Sequence, residues 1–372
     1  MKNPESLHLS LRELNLKRPF QSPPPKSDMS RIVHLCVPEK FIPPFIAFVE
    51  ENFDPSEHSF LIGGRRSRHA KFPTPKNRTI RFDGWFQKIR NFWRLYQAEK
   101  ILIHGLFDTP LIYLLGLQPW LLKKCFWLIW GGDLYQHQQP RQGIKSHLKE
   151  FSRRRVIKRL GHMVTYIPGD YHHAVEWYSS KALHHDCLCY LSNTFTPSKR
   201  GQSSSQILTI QVGNSAYPRN NHCQAIDLIS KFRNQPITII APLSYGPKEE
   251  AARVAAYGKL HLGDKFLPIL DFLPLEEYLN LLNSVDIGVF NQDHQQAMGN
   301  MLQLLGMGKT VYLRKDTSSW LLFQSLGLHV FEIQSFDLTL LTPQQSNHNV
   351  EIISQNFSKQ RLAQQYKAIF GF

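Results

Sequence analysis

Cysteine is scarce in this chain and unpatterned. Its five residues, Cys36, Cys125, Cys187, Cys189 and Cys223, are odd in number and include no C-x-x-C pair. A disulfide framework is therefore not expected, and the usage fits a reducing compartment. Metal-ligand spacing is equally thin. His184, His185, Asp186, Cys187 and Cys189 cluster, but zinc sites usually draw on two separated ligand pairs and no second pair stands out. A strand or surface turn is the expected reading there, with no metal. The chain also lacks D-x-D, G-x-G-x-x-G and G-x-x-x-x-G-K-[ST]. A metal-held diphosphate, a dinucleotide fingerprint and a P-loop are all without support, and no cofactor is expected. The longest oily stretch, LIYLLGLQPWLLKKCFWLIW (111–130), is interrupted by Gln118, Pro119, Lys123 and Lys124. A spanning helix needs about 20 mostly apolar residues, so none is expected. Residues 1–29 are polar and contain Pro23, Pro24 and Pro25; they read as a disordered tail, not as a signal peptide.

What is present suits two domains. The length of 372 residues exceeds one ordinary core, and 42% hydrophobic against 20% charged residues fits globular folding. The net charge of +15 is unevenly placed. Residues 1–200 hold 31 Lys and Arg against 16 Asp and Glu, whereas residues 201–372 hold 13 of each. The excess is dense in GGRRSRHAK (63–71) and KEFSRRRVIKR (149–159). Such a field attracts anions, whether nucleic acid, anionic lipid or an acidic substrate; a solubilising face is the alternative.

Short apolar runs alternate with helical patterns, the mark of βα units and a parallel sheet. In the first half, strands are expected at 30–37, 58–64, 100–105, 125–130 and 162–170, with helices at 41–53, 85–100 and 111–116. A polar linker follows at 193–206. The rhythm then restarts, with strands at 207–215, 236–243, 266–272, 286–292 and 309–315 and helices between them. The expected fold class is α/β, two doubly wound, Rossmann-like domains facing a cleft. The domains run 30–195 and 207–345, and a C-terminal helix at 346–372 is expected to pack back on the first domain. In such sheets ligands bind beyond the carboxyl ends of the strands.

Gly131, Gly132 and Asp133 lie just past the strand CFWLIW. Glycines permit a sharp turn and close approach of a ligand. Asp133 suits the role of a base taking a proton from a hydroxyl, or equally that of a cap on the next helix. His104, at the end of ILIHG, is a candidate catalytic group or a packed core histidine. In the second domain, Gly213, Asn214 and Ser215 join a strand to a helix, and Gln295, Gln296, Gly299 and Asn300 lie near the start of another. Backbone N–H groups and the helix dipole favour a phosphate at such places.

The segments FWLIWGGDLY, TYIPGDY, IQVGNSAYPRNNH, APLSYG, LEEYLNLLNSVDIGVFNQDHQQAMGNMLQLLGMGKTVYLRK and LGLHVFE, in this order across roughly residues 100–335, resemble glycosyltransferase family 56. That family comprises the TDP-Fuc4NAc:lipid II Fuc4NAc transferases, also named 4-alpha-L-fucosyltransferases. The resemblance implies a GT-B fold, with a TDP-sugar in the C-terminal domain and an acceptor in the N-terminal one. It implies transfer of a Fuc4NAc-like deoxyamino sugar to a polyprenyl-diphosphate-linked saccharide in enterobacterial common antigen assembly. The place implied is the cytoplasmic face of the bacterial inner membrane, with the protein bound peripherally. On this reading Asn214, Ser215, Gln295, Gln296 and Asn300 hydrogen-bond the leaving diphosphate, beside Gly213 and Gly299. Tyr245 and Gly246 contact base or ribose. Gly131, Gly132, Tyr135 and Asp170 line the acceptor side, and Asp133 takes the acceptor proton if the reaction inverts. The basic first domain fits a diphosphate lipid and an anionic membrane surface. Other readings are a different nucleotide-sugar transferase of lipopolysaccharide or O-antigen synthesis, a non-catalytic GT-B-like partner, and a nucleic-acid-binding protein. Nucleic acid is not expected, because the aromatics sit inside apolar strand and helix patterns and are not interleaved with the basic runs.

Overall fold

Strands without polar alternation, such as IVHLC, KILIH and CFWL, are buried on both faces, the condition of a parallel sheet covered by helices. A computed structural model of the protein describes residues 30–63, 79–82, 84–197 and 206–371. The expected tail at 1–29, most of the basic run at 63–71 and the middle of the expected linker lie outside the described residues.

The N-terminal lobe runs β1 (Ile32–Cys36), α1 (Ile42–Asn52), β2 (His58–Ile62), β3 (Thr79–Arg81), α2 (Gly84–Gln97), β4 (Lys100–His104), α3 (Thr109–Gly116), β5 (Cys125–Leu128), α4 (Gly143–Arg159), β6 (His162–Val164), α5 (Pro168–Tyr178) and β7 (Leu183–His185). The C-terminal lobe runs β8 (Leu208–Val212), α6 (His222–Ser230), β9 (Ile237–Pro242), α7 (Lys248–Leu262), β10 (Phe266–Ile269), α8 (Leu275–Ser284), β11 (Ile287–Phe290), α9 (Met298–Gly306), β12 (Thr310–Leu313), α10 (Ser318–Ser325) and β13 (Phe331–Glu332). Two helices follow, α11 (Pro343–Asn356) and α12 (Lys359–Phe370).

The first sheet has the order β3-β2-β1-β4-β5-β6-β7 and the second β10-β9-β8-β11-β12-β13. The strand pairs are parallel. Each sheet winds outward in both directions from a central pair, β1/β4 in one and β8/β11 in the other. The two lobes therefore share one topology, with a crevice at each switch point.

Helices α2, α3 and α4 cover one face of the first sheet, burying Phe92, Leu95, Ile112, Leu115, Val156 and Ile157 against it. α1 covers the other face, where α12 returns from the far end of the chain. Tyr366 donates to the Cys189 carbonyl at 2.8 Å, and Lys100 donates to the Ile369 carbonyl at 2.6 Å. The chain thus passes between the lobes twice, and the passages touch: Phe195 N–H donates to the Phe357 carbonyl at 2.6 Å.

Two local expectations change. The strand at 162–170 stops at Val164, because Pro168 opens α5 and leaves Gly169 and Asp170 in its first turn. The basic run at 149–159 is the body of α4, and it is not all available to anions. Arg153 is fully buried and bonds the Asp133 carbonyl and the Tyr178 hydroxyl.

Candidate active site

The C-lobe half of the site forms where β8 and β11 end side by side. Gly213 takes φ +65°, and a Cβ there would lie 2.6 Å from the His222 ring, so the turn requires glycine. Gln296 draws the two expected donor segments together. Its Nε2 donates to Asn214 Oδ1 at 3.1 Å and to Ser215 Oγ at 3.2 Å. Asn220 braces the turn from behind by donating to the Ser215 carbonyl at 3.0 Å, and Gln292 donates to the Gln296 carbonyl at 3.0 Å. Gly299 and Asn300 fall in the first turn of α9. Gly299 abuts the Ser192 carbonyl of the other lobe, where a Cβ would come within 2.4 Å. The Tyr278 hydroxyl donates to Asn300 Oδ1 and so props α8 on α9, leaving the contact expected of Asn300 to its Nδ2.

Tyr245 and Gly246 follow β9. Gly246 takes φ +127° against Ala216, and Ala216 N–H donates to the Tyr245 carbonyl at 2.7 Å. The Tyr245 ring carries the Lys40 ammonium 4.5 Å above it, and its hydroxyl lies 3.5 Å from Glu39. Glu39 and Lys40 belong to the N-lobe and follow β1. Their place past the end of β1 marks a switch-point loop in the sequence, but only the opposing lobe makes them part of the site.

The N-lobe half forms at the ends of β4, β5 and β6. Gly131, at φ +75°, lies so close to Gln295 that a Cβ would meet its Oε1 at 2.2 Å. Across the same gap Tyr135 sits with Ser318 and His294. Its hydroxyl lies 3.2 Å from Ser318 Oγ and donates to Asp170 at 3.2 Å, and its ring centroid is 5.7 Å from that of His294. Gly169 presses on Ser318, which opens α10. Gly131, Tyr135 and Asp170 thus stand together opposite Gln295 and the α10 start. Gly132 packs near the Phe107 ring. Burial raises the Asp170 carboxyl to about 7 and raises the Tyr135 hydroxyl as well.

Asp133 does not fit the role of base. It is fully buried, and both carboxylate oxygens are filled. Oδ2 accepts from Leu106 N–H at 2.8 Å and Trp127 Nε1 at 2.6 Å; Oδ1 accepts from Trp130 N–H at 2.9 Å and Leu134 N–H at 3.0 Å. Burial raises its pKa and these donors oppose the rise. With four donors in place, no lone pair faces an incoming hydroxyl. Asp133 ties the ends of β4 and β5 into one rigid loop. Nor does it cap an α-helix: its bonds run to β5, to Trp130 and Leu134 in its own loop, and to the start of the β4–α3 loop.

His104 is likewise structural. It is fully buried, with Nδ1 on the Tyr190 hydroxyl at 2.7 Å and Nε2 at 3.0 Å from His34 Nδ1; His34 Nε2 is 3.0 Å from His58 Nδ1. Trp130 Nε1 donates to the same Tyr190 hydroxyl at 2.7 Å. Burial depresses His104 to about 3 and His58 to about 4, so this polar spine is uncharged and stiffens the loop that holds Gly131.

Among the described residues no group of three or more His, Cys, Asp and Glu is placed to hold a metal ion. In the 184–189 cluster, Leu183–His185 forms β7, His185 pairs with His162 at 2.9 Å, and Cys187 and Cys189 are buried.

A family profile described as 4-alpha-L-fucosyltransferase, glycosyl transferase group 56, matches residues 87–358. The chain belongs to glycosyltransferase family 56. This family-56 protein is also similar in shape to solved glycosyltransferases. A sucrose-phosphate synthase from Thermosynechococcus elongatus aligns at TM-score 0.61 and 11% identity, covering 92% of this chain and 98% of the other. A glycosyltransferase from Rickettsia africae aligns at 0.58 and 13%, over 92% and 98%. WaaG, a glycosyltransferase involved in lipopolysaccharide biosynthesis, aligns at 0.56 and 10%, over 91% and 94%. These likenesses establish the GT-B fold. The family-56 protein is a glycosyltransferase.

Proposed function

We propose that the protein transfers a Fuc4NAc-like deoxyamino sugar from a TDP-sugar to a polyprenyl-diphosphate-linked saccharide at the cytoplasmic membrane surface, in an enterobacterial common antigen-like assembly. The observation that carries the reading is the joining of the 213–215 turn to Gln296 at the β8/β11 switch point, directly opposite Gly131 and Tyr135. Free N–H groups of the turn and Ser215 hold the diphosphate, with Gln296 positioning them, and gain strength as the leaving group gains charge. Gln295 reaches across to the acceptor loop. Tyr245 supports the base or ribose, with Lys40 above it bringing positive charge to the same end.

Asp170 takes the proton-handling part in place of Asp133. Its carboxyl lies between the lobes, is shared with Tyr135, and titrates near neutrality, where a general base is most useful. Opening the lobes draws Ser318 away from Tyr135 and admits the acceptor to this corner; closing them excludes water and protects the donor from hydrolysis.

The test is a thermal-shift panel of nucleoside diphosphates followed by a transfer assay. A rise with TDP that exceeds those with UDP and GDP, and transfer to a polyprenyl-diphosphate saccharide, support the reading. Preference for UDP or GDP redirects the donor assignment to another nucleotide-sugar.

A further inference from the structure

The outer helical layer of the N-lobe exposes large apolar side chains. On α2, Trp85, Phe86 and Ile89 are 51%, 75% and 65% exposed. On α4, Ile144, Leu148 and Phe151 are 86%, 54% and 65% exposed. The α4 residues stand at i, i+4 and i+7, one stripe along a helix whose opposite side is buried on the sheet. Each of these helices returns from the end of one parallel strand to the start of the next. Their N-terminal halves therefore lie at the carboxyl ends of the strands, the end that carries Gly131, Tyr135 and Asp170. The apolar groups occupy those N-terminal halves and so rim the mouth of the site.

Among the described residues the charge on these helices is almost all of one sign. Helices α2, α3 and α4 contain ten Lys and Arg, of which Lys88 and Arg153 are buried, and a single carboxylate, Glu150, which is buried and paired with Arg141, Arg153 and Arg154. Arg90, Lys145 and Lys158 are exposed beside the stripe. An apolar edge of the C-lobe makes the contrast: Leu270, Phe272 and Leu275 are also exposed, but Asp271, Glu276 and Glu277 stand among them. Among the described residues no helix is long and apolar enough to cross a membrane.

Resting on the proposed lipid-linked acceptor, we infer that the α2–α4 layer is a membrane-docking face that lies in the interface of an anionic leaflet. Its aromatic and aliphatic groups enter the boundary between headgroups and acyl chains, and its basic residues meet the lipid phosphates. Docked this way, the mouth of the cleft opens at headgroup level, where a diphosphate on a lipid presents its sugar.

Flotation with vesicles of phosphatidylglycerol and phosphatidylcholine in equal parts, and with pure phosphatidylcholine, tests this. The wild-type chain binds the mixed vesicles and binds pure phosphatidylcholine more weakly. The double variant Phe86→Ser, Phe151→Ser loses roughly tenfold or more of that binding, because each exchange withdraws a large apolar group from the interface. Both positions are exposed, so its melting temperature and its thermal shift with TDP stay at wild-type values. Arg90→Gln with Lys145→Gln narrows the preference for the anionic vesicles. Three results overturn the inference: no vesicle binding by the wild type, equal binding by the double variant, or a solution dimer that the double variant breaks while vesicle binding is absent. A TDP shift that persists while vesicles are ignored defeats the docking face alone. Absence of any nucleoside diphosphate shift defeats the donor reading whatever the vesicles do.

Discussion

The two lobes share a strand order and a switch point, yet they are finished differently. The N-lobe ends its strands in buried polar networks, Asp133 with four donors and the His58–His34–His104–Tyr190 spine, and covers its outside with basic and apolar helices. The C-lobe ends its strands in short neutral side chains, Asn214, Ser215 and Gln296, that bond one another across the switch point, and its charges balance. One frame thus serves two ligands. A rigid loop and a basic exterior suit the lipid-linked acceptor proposed above, while small neutral donors suit the proposed nucleotide.

Variants can break that contrast, beginning with the proposed proton handler. Asp170→Asn should lower kcat by about 10²–10⁴, the span of general acid–base contributions, while a TDP thermal shift is retained. A base must be ionised, so wild-type kcat/KM should fall as pH drops through about 7, the value to which burial raises Asp170. An Asp170→Asn enzyme with near-normal turnover would remove the assignment. Asp133→Asn separates scaffold from catalyst by where its effect appears. Turning one acceptor oxygen into a donor against four N–H groups should cost the fold about 3 kcal/mol, seen as a lower denaturation midpoint. Normal stability with lost turnover would restore Asp133 as the base. Gln296→Ala, which frees Asn214 and Ser215, should weaken TDP binding about tenfold in calorimetry and leave the N-lobe untouched. At the small end, Phe272→Ser in the acidic apolar edge of the C-lobe should leave vesicle flotation unchanged; a loss equal to that of the Phe86 and Phe151 variant would erase the difference between the two surfaces.

Much of this organisation is legible in the chain before any coordinates. Continuous apolar runs mark β1, β4, β5, β8, β9 and β12, and the glycine after β8 marks a turn that only glycine tolerates. The same reading places 213–215 and 295–296 at neighbouring strand ends, where they meet. It misassigns Asp133 because an acid after a strand looks the same in sequence whether it faces a ligand or its own backbone. What decides the matter is the inward Trp127 indole and three backbone N–H groups, and their direction is a product of tertiary packing. Helix α4 stays hidden because eleven of its 17 residues are charged or histidine or serine, which blurs the apolar period. Ser318 and Lys40 are invisible as site residues, since each matters only through the lobe that it faces. The strand-like reading of 162–170 fails at Pro168, whose fixed φ starts a helix.

The bond between Phe195 and Phe357 lies where both passages of the chain cross between the lobes. A body hung at two adjoining threads turns about one line and resists other motions. Parts near that line, such as Gly299 against Ser192, travel little during opening, while parts farther out sweep wider arcs. Capture and release of substrate then become a single coordinate, one angle, that a pair of fluorescent labels across the gap can follow.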